Sequence, residues 1–285
     1  MEKRILEDLQ QSGFPLEVRV ALAFSQKGWN VGHQAIYVDE DERRAKYVDI
    51  LAHKGVDKSF GRFERLTVTL VCECKKTENP WVFYTPPFTP LEFQFGLQQL
   101  FALRYMKVAS FPNWGQAELP ILLKSHYLTE EPLERFAEAY HVSWLKEDVD
   151  RDDHQQKPSK KRKFEGPDQI SNAINQVLKA TNHNLVSIQQ LLSKVHPIAI
   201  CGLFYPVIVV DGPMYEYGLN SEGNAELRSV SYLKCRASII GQEPMHAALT
   251  KADPTTREFL IDIVREQKLG EYITSLDKEI ESITK

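Results

Sequence analysis

Cysteine is scarce, four in 285 residues. That is too few to staple so long a chain, which excludes a disulfide scaffold and sets the expectation of a reducing compartment. Long apolar runs are missing too. The longest, Ile198 to Val210, contains Pro206 and falls short of the roughly 20 residues a membrane-spanning helix needs. Met1 to Gln11 carries charge throughout and no apolar core segment, so no secretory signal is expected. The expected location is the cytoplasm, or the nucleus in a eukaryotic host. A surplus of one charge is lacking as well. Lys and Arg number 35 against 39 Asp and Glu, a net −4, which excludes a globally basic nucleic-acid coat but leaves room for a local positive cleft. No Gly-rich phosphate loop and no nucleophile elbow occurs, and the eight histidines form no H-x-x-x-H or H-x-H pair.

What is present fits an α/β chain of one large or two small domains. A helix is predicted with Pro15 in its first turn and Gly28 as its left-handed stop. Strands follow at Trp29–Val38, Tyr47–Ala52 and Leu66–Lys75, the first two joined by a charged turn from Asp39 to Arg44, and the latter two are rich in β-branched residues. Three prolines between Pro86 and Pro90 break the chain. Beyond them a helix (Leu91–Val108), a strand (Leu119–Lys124), a helix (Glu130–Tyr140) and a short strand (Val142–Leu145) are expected. Residues 146 to 166 switch to an acidic and then a basic half with scarcely any apolar content, the signature of a linker or exposed loop. After it come a helix at Gln169–Ala180, strands near Ala199–Val210 and Leu227–Ala237, and helices at Thr255–Gln267 and Glu271–Ile283. The domain expectation is a core over 1–148, a linker over 149–167, and an α/β segment over 168–285 that packs on the core or extends it.

The informative residues are Glu17, Asp49, Glu73 and Lys75. Alternation puts Val71, Glu73 and Lys75 on one face of the third strand and Leu70, Cys72 and Cys74 on the other. The cysteine face reads as core, since free Cys packs as a small hydrophobe. The opposite face carries a carboxylate and an ammonium at the end of an apolar strand, an expensive place unless they meet a cation, each other or a ligand. Asp49 interrupts Tyr47–Leu51 in the same way. Glu17 stands beside a helical apolar stripe of Val20, Ala21 and Phe24. Three carboxylates and a lysine on elements that pack together suit Mg²⁺, with Mn²⁺ as a substitute, and phosphodiester hydrolysis.

On these residues the chain resembles the PD-(D/E)xK, or restriction-endonuclease-like, nuclease superfamily. The resemblance runs over about residues 14 to 84. It rests on Glu17 of the first helix, Asp49 after Tyr47-Val48, and Glu73-Cys74-Lys75 as the E-x-K element, with Gly28-Trp29 after the helix and Asp49-Ile50-Leu51-Ala52 around the aspartate. Residues 120 to 145 are similar, more loosely, to the strand-helix-strand that ends nucleases of the type IV restriction kind. The resemblance implies a restriction-endonuclease-like core, a mixed central sheet flanked by helices, with an additional C-terminal α/β segment. It implies Asp49 and Glu73 as metal ligands, Lys75 positioning or activating the water, and Glu17 as an accessory ligand. The implied function is a metal-dependent DNA endonuclease of restriction or defence type. A nuclease-fold module that binds nucleic acid or protein without cutting, and a nuclease for RNA or branched structures, stand as alternatives. No Gln-x-x-x-Tyr follows on the next expected helix, which argues against an exonuclease of the type that carries it.

Blander readings stand beside these. Glu73 and Lys75 make a same-face ion pair, and Glu17 a helix-boundary acid paired to Arg19 or Lys27. Lys76 is a solvent-facing strand end by alternation, with phosphate contact as its functional reading. The run Lys160, Lys161, Arg162 and Lys163 reads as a solvated linker, a phosphate-contacting tail or a localisation address. Cys72 and Cys74 with Cys201 and Cys235 lack zinc-ligand spacing. Asp211 reads as a turn residue before Gly212. The two terminal helices offer a homodimer contact, and no membrane association is expected.

Overall fold

The computed structural model describes residues 1–39, 41–57, 65–85, 137, 139–142, 169–192, 200–220, 222–240 and 256–283. Helix α1 (Glu2–Gln11) precedes α2 (Phe14–Gln26), which has Pro15 in its first turn and ends before Gly28, at φ 78°. That left-handed geometry is what glycine adopts without steric cost. Strands β1 (Asn30–Asp39), β2 (Arg44–Val56) and β3 (Arg65–Lys76) follow, then β4 (Trp81–Tyr84) and β5 (Ala139–Val142). Helix α3 (Gln169–Leu192) leads to β6 (Ile200–Asp211), β7 (Met214–Leu219), β8 (Ala225–Ser229), β9 (Tyr232–Ile240) and β10 (Thr256–Arg265). A 3₁₀ turn at Glu266–Lys268 then opens helix α4 (Leu269–Ile283).

The chain is mixed α/β, with a mixed central sheet flanked by helices. Six strands run in the order β1-β2-β3-β6-β10-β9. β1, β2 and β3 are antiparallel neighbours, β3, β6 and β10 are mutually parallel, and β9 returns antiparallel to β10. The sheet therefore draws on residues before and after the charged segment, with β6 at its centre. One face is covered by α2, through Leu16, Val20, Ala21 and Phe24, and by α4, through Ile273, Leu276 and Ile280. The other is covered by α3, through Ile170, Ile174, Val177 and Leu178, together with Trp81 and Phe83 of β4. Fully burying one such side chain stabilises the fold by roughly 1.5–3 kcal/mol, so these two layers fix where the helices sit.

Just past the ends of β3 and β6 the paired strands turn together into a second sheet, ordered β5-β4-β7-β8. β4 and β7 keep the parallel relation of β3 and β6. The Thr77 N–H donates to the Asp211 carbonyl at 3.0 Å, and a Cβ on Gly212 would meet the Thr77 carbonyl oxygen at 2.4 Å. Only glycine lets the two backbones approach so closely at this corner.

Several expectations change. Residues 256–265 form a strand, not the helix expected over Thr255–Gln267. Ile261 and Ile263 pack on the α3 face while Val264 packs on the α2/α4 face. A central strand buried on both sides loses the polar alternation that would mark it, and its short apolar run is then indistinguishable from helix by period. The single strand expected over Leu227–Ala237 is two, β8 and β9, in different sheets. Residues 139–142 pair with β4 as a strand, where a helix was expected to end at Tyr140. Helix α3 runs twelve residues past the expected Ala180. The elements expected at Leu91–Val108 and Leu119–Lys124 lie outside the described residues. Among the described residues no helix is long and apolar enough to cross a membrane.

Candidate active site

A kink in the β1–β2 hairpin builds the site. On β2, Ile50 and Ala52 pack on the α2/α4 face, yet Val48, two residues earlier, packs on the α3 face. On β1, Val31 packs with the first cluster and Ala35 and Tyr37 with the second. Residues two apart on a regular strand share a face, so both strands change face between these positions. The register itself does not slip: His33 pairs with Ile50 and Ala35 with Val48, while Gln34 and Asp49 drop out of the ladder. Gln34 sits at φ 46°, in the left-handed region, which marks the turning point.

Asp49 stands at that point, and there β2 also leaves β3. Their ladder ends at the Ile50–Cys72 pair. The Cys74 N–H, left without a strand partner on this side, donates to Asp49 Oδ2 at 2.7 Å. The carboxylate thus replaces a lost ladder bond and is fixed in direction by the backbone. On β3 the alternation behaves as expected. Cys72 and Cys74 are buried in the α2/α4 core, and Glu73 points the other way with a 1% exposed side chain.

Glu73 Oε1 accepts from Lys75 Nζ at 2.6 Å, and Lys75 Nζ also lies 3.5 Å from Gln176 Oε1 on α3. Burial and the negative charge of Asp49 push the Glu73 carboxyl up to about 7, against the pull of Lys75. Burial raises Asp49 as well, opposed by the Cys74 N–H and the Lys75 charge. Glu17, half-buried on the first turn of α2, is raised by burial and by Asp49 and lowered by Lys75. The structure therefore brings all four residues into one electrostatically coupled group. Arg19 does not pair with Glu17; it reaches Glu266, at 2.5 Å, and Asp211, at 3.4 Å.

The donor set suits a hard cation in chemistry. Glu17 Oε2 and Glu73 Oε2 are both buried with no hydrogen-bond partner, and three acids share too little positive charge. Oxygen ligands in this arrangement favour Mg²⁺, which takes one or two protein carboxylates and fills its shell with water and phosphate. Among the described residues no three His, Cys, Asp or Glu side chains stand close enough together to hold one ion. The fit is therefore to a cation held by one or two carboxylates rather than to a closed protein cage.

Sequence reasoning missed two parts of this region. Gln176 is an amide on a half-buried helix flank, a position with no distinguishing pattern. Asp39, read as a turn residue, is 1% exposed and ties α3 to the hairpin. Its carboxylate meets Lys46 Nζ at 2.7 Å and Lys179 Nζ at 3.1 Å and accepts the N–H groups of Asp41 and Glu42. Of the other candidates, Lys76 is exposed at the end of β3, and Lys160, Lys161, Arg162 and Lys163 lie outside the described residues. Cys72 and Cys74 sit in one core cluster and Cys235 in the other, on opposite faces of the sheet.

Compared with known proteins, the chain matches no family model, no curated protein and no solved structure. The reading of this site rests on its own geometry.

Proposed function

We propose that this protein is a metal-dependent nuclease that hydrolyses phosphodiester bonds, a DNA endonuclease of the PD-(D/E)xK kind. The observation that carries the reading is the gathering of Glu17, Asp49, Glu73 and Lys75 where β2 parts from β3, with all three acids shifted towards protonation. The order of elements supports it. Helix α2, three antiparallel strands, helix α3 and a strand parallel to the third follow the order expected of such a core.

Asp49 and Glu73 would hold Mg²⁺ or Mn²⁺, with Glu17 bearing on the ion's water shell rather than ligating it; when bound, the ion supplies charge to a scissile phosphate and acidity to a water. Lys75 holds the attacking water in line and donates to a phosphate oxygen as charge develops there. Gln176 restrains the lysine between itself and Glu73. The Cys74 N–H keeps Asp49 turned towards the site. Lys76 at the strand end, and the run Lys160 to Lys163, would meet the nucleic-acid backbone.

The test offers circular plasmid, linear duplex, single-stranded DNA and RNA with Mg²⁺, Mn²⁺ or EDTA. Nicking or linearising of the circle only with metal supports the endonuclease, and loss of linear ends alone redirects the reading to an exonuclease. The alternative reading is a nuclease-fold module that binds nucleic acid or protein without cutting it. Metal-independent binding by folded protein that cuts none of the substrates would establish it.

A further inference from the structure

Five charged side chains are buried among the described residues: Asp39, Glu73, Lys234, Asp262 and Glu279. The first two belong to the hairpin strut and the candidate site. The other three gather under α4, on the face of the sheet opposite Glu73 and beside its edge strand β9. Asp262 accepts from the Tyr232 hydroxyl at 3.1 Å and from the Tyr272 hydroxyl at 2.8 Å, which fixes both rings. The rings lie 5.8 Å apart, and Lys234 Nζ stands 5.3 Å from the centre of the Tyr232 ring. Glu279 accepts from the Tyr205 hydroxyl at 3.2 Å. Between β9, β10 and α4 remains a cavity of about 280 Å³, lined by the two tyrosines, Lys234 and Glu279, with Val264 and Leu276 adding apolar surface. Ser275, exposed on α4, lines it from the solvent side. Buried charges are expensive, and here three of them surround a space that a ligand can enter.

The lining defines the chemistry of that ligand. Ligand cavities start at roughly 300 Å³, so this one holds a single small ring system. Lys234 faces the charge of Glu279, the Lys268–Glu271 pair beside them closes at 2.7 Å, and Asp262 has an oxygen on each tyrosine hydroxyl. No positive surplus is left to draw a phosphate, and the Lys234 ammonium repels a metal ion. A neutral molecule with a flat apolar body and a polar edge suits the tyrosine rings, the ammonium and the carboxylate together. Placement adds the class. Asp262 pairs with Val207 and Val207 with Cys72, so the cavity is level with the candidate site along the strands. It lies three strands, or about 14 Å, across from β3. We propose that this cavity binds one nucleobase, stacked on tyrosine with its hydrogen-bonding edge towards Lys234 and Glu279. The base arrives either as a free nucleoside or unstacked from a nucleic-acid strand. The choice of a nucleobase among flat neutral rings rests on the nuclease reading; the existence of the cavity does not.

The experiment measures binding to the full chain in EDTA, where no metal-dependent cleavage interferes. Adenosine, guanosine, cytidine and thymidine are titrated by calorimetry, and single- and double-stranded oligonucleotides carrying 2-aminopurine are followed by the fluorescence gained when that base leaves its stack. At least one nucleoside, or the 2-aminopurine strand, is expected to give a saturable signal. Ser275→Trp, which fills the cavity from an exposed position, should weaken it about tenfold or more with an unchanged melting temperature. Lys234→Met should do the same by removing the donor to the base edge. Nucleoside binding without a fluorescence gain identifies a free nucleoside as the ligand, and a fluorescence gain lost in Ser275→Trp identifies a base of the strand. No signal from any probe, or a signal that Ser275→Trp leaves intact, would overturn the proposal and make the buried charges a structural network only. Wild-type protein that binds a base here but cuts no substrate sinks the nuclease reading alone, and metal-dependent cleavage without base binding sinks this one alone.

Discussion

Asp39 and Glu73 are two carboxylates, each 1% exposed, on neighbouring parts of one sheet face, and they are driven in opposite directions. Burial alone would push both up. At Asp39 the hydrogen bonds from Lys46, Lys179 and the Glu42 N–H outweigh it and hold the acid below the ordinary carboxylate range. At Glu73 a single lysine faces burial, the charge of Asp49 and that of Glu17, and the acid rises to about 7. Equal burial thus separates into a satisfied strut and an underpaired group that a cation would satisfy. The proposed cation would sit at the acid that lacks donors, not at the one that has them.

Removing Lys75 should widen the contrast most. Lys75→Ala or Asp49→Ala should cut nuclease activity on the order of 10³-fold with an unchanged circular-dichroism spectrum, read on supercoiled plasmid. Next comes the strut: Asp39→Asn should lose about 1–3 kcal/mol in urea unfolding, because the two lysines and the Asp41 and Glu42 N–H groups lose the buried carboxylate they share, although Lys46 keeps Glu42 and Lys179 keeps Asp41. The same change in Glu73 should be far milder, and Glu73→Gln should come out close to neutral.

The pH dependence of stability sharpens the comparison, since the two acids contribute with opposite sign. Asp39 binds its proton more weakly folded than unfolded, so its stabilisation is complete above the usual carboxylate pKa of about 4 and is lost as pH falls below it. Glu73 binds its proton more tightly folded than unfolded. Its contribution is therefore greatest below the unfolded value of about 4.3 and declines as pH rises through the folded value of about 7. Metal-free protein should be less stable at pH 8 than at pH 5 by on the order of 2–3 kcal/mol, a slope that Glu73→Gln should flatten and that chemical denaturation across pH would measure. The smallest effect is expected at Gln176. Its change to Ala should cost about tenfold in kcat and leave stability within about 0.5 kcal/mol, by steady-state kinetics and thermal melting.

Much of the first half was legible because its chemistry is local. Proline and glycine bracket α2, β-branched runs mark β2 and β3, and charges inside apolar strands single out Asp49 and Glu73. What stayed hidden depends on partners far along the chain. Nothing near Asp39 announces Lys179, 140 residues away. The kink at Gln34 and Asp49 has no signature in the sequence, and the change of face on both strands, with the positive φ of Gln34, reveals it. β10 was misread because two buried faces erase the period that separates strand from helix. Gln176 owes its place beside Lys75 to the lie of α3, 101 residues further along the chain.

The most direct test incubates supercoiled plasmid with wild-type and Lys75→Ala protein, purified side by side, in Mg²⁺ and in EDTA. Nicked and linear products from the wild type in Mg²⁺ alone, and none from the variant, are the expected result. Equal cleavage by both proteins, or cleavage that persists in EDTA, would contradict a metal-dependent site built on Asp49, Glu73 and Lys75.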